Sequence, residues 1–478
     1  MNRDVDRAVL TDTVRSRWDN DVLTSLSELV SVPAISPAFD PDWARNGHLE
    51  AAVEHVRRWL VARELPGATV DVVRLEGRTP LLLLDLPAQP GTEEAGTALL
   101  YGHLDKQPPV GGWSEGLGPW TPVLRDGRLY GRGSADDGYA GYAAVTAIEG
   151  LLAAGGTHGR CVVLLETGEE SGSPDLPAYL EHLSARLGAV TLVVCLDSGA
   201  ADYERMWLTT SLRGLVQTQL TVRVLESGQH SGSASGVVPS SFRVIRQLLD
   251  RLEDSVTGQV RLPELHVEIP DERVLEAKEA LAVFPGLLLS LFPLMPGMQP
   301  VTTDELELAL NRTWRPTLSI IGADGLPVPD DAGNVLRPHT TLMLGFRLPP
   351  TADSDAALAA VRRALTTEVP YGAQVELGKV EAANGWNAPS LRPWLREALD
   401  TAGEQVFGAG WKATGEGGSI PFMGLLHEAY PAAQFVVTGA LGADSNAHVP
   451  DESLHLDYAR RITEAISYVL DAHARSGE

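Results

Sequence analysis

The sequence predicts an α/β chain: a domain with a mostly parallel sheet between helices, interrupted by an inserted α+β domain. Three observations predict it. Up to about residue 200, nearly continuous apolar runs alternate with helical stretches, as in a sheet covered on both faces. After about residue 210, "LVQTQLTVRVLES" alternates polar and apolar residues, the signature of a half-exposed antiparallel strand. After "NGWNAPS" the helix–strand–helix pattern returns and runs to about residue 475.

The elements follow in order. Residues 12–29 read as a helix, "SVPAISP" as a loop, and 49–64 as a second helix. The runs "ATVDVVRL", "PLLLLDLP" and "TALLYGH" read as strands. An irregular loop leads to a helix over about 138–154, the strand "RCVVLLE", a helix near 175–187 and the strand "TLVVCLD". The inserted part adds a helix over about 239–254, strands at "PTLSIIG" and "HTTLMLGFRLP", a helix near 354–367 and the strand "AQVELGKV". The expected divisions are 1–210, 211–385 and 386–478, the first and last forming one domain.

With 478 residues, 44% of them hydrophobic and 21% charged, the chain can fill two or more cores. A formal net charge of −25 disfavours nucleic acid and anionic membranes as partners. Cys161 and Cys195 lie in or beside apolar runs and are expected as buried thiols of a reducing compartment. Met1 to Leu10 shows no apolar core of a signal peptide. The most apolar stretch, "FPGLLLSLFPLM" at 284–295, is too short and too broken by proline to span a bilayer. A cytoplasmic protein is the expectation.

The chemistry concentrates where strands end. "LLETGEESGSPD" sets Glu169 and Glu170 side by side after an apolar run, where two carboxylates should repel. The other adjacent pair, Glu93 and Glu94, reads as a solvated turn. "GHLDKQPP" places His103 and Asp105 two apart, on one side of extended chain, as a ligand histidine and its orienting carboxylate often are. Asp136 and Asp137 lie in a Gly-rich turn before a helix, where an Asp also serves as an N-cap. Asp197 closes another apolar strand, and His448 sits in the polar loop "GADSNAHVPDE". Each has an ordinary structural explanation alone. Together they put two histidines and at least three carboxylates where loops of one α/β sheet converge. Such a set suits two zinc-like ions with a bridging carboxylate, and its oxygen content would also admit manganese.

In order and spacing, "GHLDKQPP", "GRGSADDG", "ETGEESGS", "QHSG", "LGFRLPP" and "EGGSIP" resemble the co-catalytic di-metal exopeptidases and amidohydrolases. That family includes acetylornithine deacetylase, succinyl-diaminopimelate desuccinylase, glutamate carboxypeptidase and carnosinase. The resemblance covers nearly the whole chain and is strongest to the cytosolic non-specific dipeptidase, or carnosinase-like, branch. It implies that the inserted domain is a ferredoxin-like lid and dimerisation domain. It implies His103, Glu170, Asp197 and His448 as terminal metal ligands, Asp136 as the bridging carboxylate and Asp105 as the residue that orients His103. Glu169 matches the general base, which would answer the paired glutamates: one holds metal while its neighbour faces the attacking water. The resemblance further implies that His230 holds the substrate's carbonyl oxygen, often across a dimer interface, and that Arg347 clamps its free carboxylate. Glu416 and Ser419 precede a helix that begins near Ile420, whose start could hold an anion. One departure stands out. Many relatives carry Lys after the paired aspartates, where this chain has Gly138 and Tyr139. His158, His266 and His455 match no motif and are expected as structural or surface groups.

The implied activity is hydrolysis of dipeptides or short peptides with a free C-terminal carboxylate, with two divalent ions per chain. Zinc is the first choice and manganese the second. The enzyme alternative is an N-acyl-amino-acid deacylase or a glutamate carboxypeptidase-like amidohydrolase using the same metals. A non-catalytic binding protein on the same fold is a third class, which loss of the base or of a ligand would signal, and all are present. The expected partners are a small peptide substrate and a second copy of the chain.

Overall fold

A computed structural model describes residues 5–292, 294–418 and 421–477. The chain forms two compact units. One comprises Met1–Thr209, Ala388–Ala413 and Leu425–Glu478; the other comprises Thr210–Asn387 and Thr414–Gly424. The short return of Thr414–Gly424 to the second unit breaks up the stretch 386–478, which sequence pattern alone leaves whole.

The first unit is built on a six-stranded sheet in the order Thr69–Val73, Leu81–Leu86, Arg160–Glu166, Thr97–His103, Val190–Cys195, Gln434–Val437. The last four are mutually parallel, and the first two add antiparallel at one edge. Every position of Thr97–His103 is buried, as is nearly every one in Arg160–Glu166 and Val190–Cys195. Strands covered on both faces need apolar residues at successive positions, which is why their sequences do not alternate. Helix Ala140–Ala153 packs on the two central strands, and helix His48–Val61 packs on the antiparallel edge. The first fit is close. A Cβ at Gly102 would stand 2.8 Å from the Cβ of Ala140 and 2.9 Å from an oxygen of Asp137. Glycine there lets the strand carrying His103 approach the helix that follows the aspartates.

At the N-terminus, Asp6 caps helix Arg7–Arg17 by accepting from the N–H groups of Ala8 and Val9. A π turn, Trp18–Val22, carries it into Leu23–Val30. Buried Trp18 donates through its ring N–H to Thr463 on the C-terminal helix Leu456–Ser476.

That last helix also carries His473, buried with its Nε2 2.7 Å from Thr191 Oγ1. Burial lowers its pKa from 6.5 to about 4. The unfolded chain therefore binds the proton first, and this group's own contribution to stability is lost as pH drops from 6.5 to 4. At full expression the shift corresponds to about 3 kcal/mol. Urea unfolding of His473→Gln against the parent at pH 7 and pH 4.5 tests this. The variant should lose less stability over that interval, and an equal loss refutes the assignment.

The second unit holds a four-stranded antiparallel sheet in the order Thr317–Asp324, His339–Leu348, Gly214–Arg223, Gln374–Ala383. Helix Ser241–Leu249 follows its first strand and helix Ser354–Thr366 its third, the ferredoxin-like β-α-β-β-α-β plan. Val216, Leu220, Val244, Leu248, Leu344, Phe346 and Val361 centre its core. Helices Asp271–Val283, Leu287–Ser290 and Glu305–Thr313 are added before the second strand. Thr317–Asp324 is an edge strand that leaves Ile320 and Ile321 exposed.

Among the described residues, no helix is long and apolar enough to cross a membrane.

Candidate metal centre

In the first unit, three neighbouring parallel strands deliver acidic or histidine side chains from their C-terminal ends. His103 is the last residue of Thr97–His103. Glu169 and Glu170 open a single 3-10 turn just past Arg160–Glu166. Asp197 follows Val190–Cys195 by two residues. Asp136 enters from the loop before helix Ala140–Ala153, and the Asp136–Asp137 peptide is cis. His448 arrives from a late loop, with its own backbone at φ +65°.

The structure brings these side chains together. His103 Nε2 lies 3.4 Å from Asp136 Oδ1, 3.8 Å from Asp197 Oδ2 and 3.9 Å from Glu169 Oε2. His448 Nε2 lies 2.9 Å from Asp136 Oδ2 and 3.3 Å from Glu170 Oε2. The two oxygens of Asp136 thus face different histidines. His103, Asp136 and Glu170 offer ligand atoms close enough to share an ion, and so do His103, Glu169 and Asp197. Glu169 is therefore near enough to compete for metal, so its assignment to proton transfer rests on the resemblance and not on distance.

Asp105 does more than sit beside His103. Its backbone carbonyl lies 3.0 Å from His103 Nδ1 and one carboxylate oxygen lies 3.4 Å away. Its two carboxylate oxygens accept from the N–H groups of Glu169, at 3.2 Å, and Glu170, at 3.0 Å. One side chain thereby ties the ends of two strands. With the proton on Nδ1 and given to the carbonyl, Nε2 keeps its lone pair toward the carboxylates. That Nε2 is buried and has no hydrogen-bond partner.

The electrostatics favour a cation. Burial, then repulsion from Asp136, raises the Glu170 pKa to about 8 and that of Asp197 to about 7. Burial and Asp197 push Glu169 well above its usual range. Against the cost of burial, His103 and His448 hold Asp136 low. The hydrogen bond to Asp136 in turn lifts His448 to about 9. Without positive ions such a cluster keeps protons, whereas divalent ions offset the repulsion directly. An orphaned imidazole nitrogen among buried carboxylates fits a metal ligand set.

The departure at Gly138 and Tyr139 has a local cause. A Cβ at Gly138 would stand 2.3 Å from the carbonyl oxygen of Gly133, so the turn admits only glycine. Tyr139 is buried, donates to Leu196 O at 2.6 Å and accepts from Ala440 N at 3.0 Å. It thus braces the loop leading to Asp197. Two contributors carry no sequence signal of their own. Gln107 donates to Glu170 Oε2 at 2.6 Å, and Glu452 underlies the Asp136 loop. Only proximity to a histidine in sequence could have suggested either.

The other candidates lie in the second unit. His230 is exposed on a short strand paired with Val335. Arg347 is partly buried on His339–Leu348, opposite Leu215 and Thr317. Burial lowers the pKa of its neighbour Arg213 to about 10, aided by repulsion from Arg347 and Arg312. The charge of Glu416 is engaged by Arg312 at 2.6 Å. Ser419 lies outside the described residues. Three of the nine unmatched histidines serve structure. His158 and His266 bond backbone carbonyls, and His455 caps the last helix through Nδ1 while stacking on Tyr203.

The model of the family described as Peptidase family M20/M25/M40 matches residues 99–472. A cysteinylglycine-S-conjugate dipeptidase of Corynebacterium striatum is 27% identical over 451 residues, 91% of this chain and 91% of that protein. A human Beta-Ala-His dipeptidase is 26% identical over 389 residues, covering 79% and 74% of the two chains. Among solved structures, the dipeptidase Dug1p of Saccharomyces cerevisiae superposes with a TM-score of 0.74 at 20% identity, with 99% of each chain covered.

Proposed function

We propose, from the premise that the chain belongs to peptidase family M20/M25/M40, that it hydrolyses the amide bond of dipeptides or short peptides bearing a free C-terminal carboxylate. The chain is a metal-dependent hydrolase of dipeptidase type. One observation carries the reading: two histidines and four carboxylates converge around an unpartnered imidazole nitrogen at the ends of parallel strands.

Five side chains would hold two divalent ions: His103 and Asp197 on one side, His448 and Glu170 on the other, and Asp136 between. Bound there, the ions would polarise the scissile carbonyl and acidify water. Zinc suits the histidine and carboxylate donors best, with manganese the second choice. Glu169 takes the proton of the attacking water and returns it to the leaving amine. Arg347 pairs with the substrate's carboxylate, and His230 holds the carbonyl oxygen. Glu416, which pairs with Arg312, and Ser419, outside the described residues, stand as substrate-binding residues ahead of a helix start that could hold an anion. Two free, buried cysteines support a reducing, cytoplasmic setting.

The metal-loaded protein should be offered dipeptides, tripeptides, C-terminally amidated dipeptides and N-acetyl amino acids. Cleavage confined to free-acid short peptides is expected. Preference for N-acetyl amino acids would move the chain to the deacylase alternative, and no turnover of any class would leave a binding protein.

We also propose a homodimer through the second unit, with His230 serving the partner's site. The exposed edge strand Thr317–Asp324 supports this, since an unpaired edge invites a second strand. His230→Ala and Glu169→Gln, each inactive alone, should complement when coexpressed. Random pairing makes about half the dimers mixed, each with one intact site, hence roughly a quarter of parental activity. Proven mixed dimers without recovery refute the shared site.

A further inference from the structure

We infer that Glu452, acting with Arg132, is the positioning residue that couples the loop carrying Asp136 to the loop carrying His448. The inference rests on the two-ion reading of the site and assigns it a part that no sequence motif discloses.

Glu452 is wholly buried and receives four donors. Its Oε1 accepts from the backbone N–H groups of Gly133 at 2.9 Å, Ala135 at 3.2 Å and Asp136 at 3.3 Å. Its Oε2 accepts from Arg132 Nη1 at 2.7 Å. The second arm of the same guanidinium, Nη2, donates to Val449 O at 3.2 Å, one residue past His448. The backbone adds a tie, from Gly131 N to Glu452 O at 2.9 Å. One carboxylate and one guanidinium thus hold both loops, which lie more than 300 residues apart in sequence.

His448 needs such support. Its side chain is 55% exposed, so packing does not fix the ring. Its loop runs through left-handed backbone at Asp444, Asn446, His448 and Asp451, conformations that non-glycine residues hold only when surroundings impose them. Yet its Nε2 reaches Asp136 Oδ2 at 2.9 Å. The reach is set from below, by the Arg132–Glu452 pair at the base of both loops. A carboxylate accepts along two oxygens at once and an arginine fork donates along two directions, so neither Gln nor Lys reproduces the arrangement.

The test is a zinc titration of metal-free protein by competition with a chelator, resolved into two binding steps. His448→Ala identifies the step belonging to the His448 side. Glu452→Gln turns an amide N–H toward Arg132, and Arg132→Lys loses the arm to Val449. Both should weaken that same step about 10- to 100-fold, as loss of an outer-sphere partner commonly does, and should weaken the other step, which shares only Asp136, by clearly less. If Glu452→Gln shows no cooperative melt, the milder Arg132→Lys decides. Parental affinity in both steps, or equal weakening of both, overturns the role of the pair. Parental protein that takes up fewer than two ions overturns the two-ion reading itself.

Discussion

Replacing Glu169 by Gln should leave the folded, metal-loaded protein intact and lower kcat by about 10²- to 10⁴-fold, the usual cost of removing a general base. The amide keeps the shape and a hydrogen bond but cannot accept the proton. The side chain sits beside His103 in a buried cluster where burial and Asp197 favour its neutral form, so its carboxylate is available as a base only when cations offset them. Without metal that carboxyl keeps its proton, so Gln replaces a neutral acid with a neutral amide and adds no buried charge. The metal-free variant should therefore be no less stable than the metal-free parent, which separates a catalytic defect from a folding one. Metal content, melting temperature and kcat measured together check the claim. Near-parental kcat would exclude Glu169 as the base. Loss of one ion would make it a ligand instead, as its distance to His103 allows.

Stripping the metal should have the other large effect. Losing several kcal/mol of transition-state stabilisation corresponds to about 10³-fold or more in rate. Elemental analysis of the active protein should find two ions per chain, and activity should return on reloading. The stripped protein should also change its response to pH. Burial and repulsion from Asp136 raise Glu170 to about 8 and Asp197 to about 7, above their ordinary values of 4.5 and 3.8. The native metal-free state then binds more protons than the unfolded chain, so its stability should fall as pH rises from 4 to 8. Melting curves at pH 5 and pH 8, with and without metal, test the sign. Full activity in rigorously metal-free protein, or a metal-free form more stable at pH 8, would refute the assignment.

Much of this architecture was legible because burial leaves its mark on composition. Strands covered on both faces must be apolar at every position, so "TALLYGH" and "RCVVLLE" announced themselves, and the strands end within a residue or so of those runs. Histidine and acidic residues at strand ends likewise marked the site, and the resemblance, not spacing, singles out His103, Asp136, Glu170, Asp197 and His448 among them. Other parts left no such mark. The helix Asp271–Val283 buries little beyond Arg273 and Ala280, so it shows no clear apolar face. The tie from Asp105 to the backbone of Glu169 and Glu170 depends on two loops meeting in space. Glu452 is indistinguishable in sequence from any acidic residue of a polar loop, because its four donors are mostly backbone. Position 138 reads as an ordinary glycine until the carbonyl of Gly133 is seen beneath it.

The sixth strand of the first sheet, Gln434–Val437, pairs with Val190–Cys195 across about 240 residues of chain. During synthesis the edge of Val190–Cys195 therefore waits while the whole ferredoxin-like unit emerges. At ordinary elongation rates that wait is roughly ten seconds to most of a minute. The second unit can complete its own sheet in that interval, because all four of its strands lie between Gly214 and Ala383. The first unit cannot, and until then it offers a buried-type apolar strand with one side open to other chains. Nascent chains stalled before Gln434 should thus be sticky and inert, and dependence on chaperones should concentrate between synthesis of Cys195 and synthesis of Gln434.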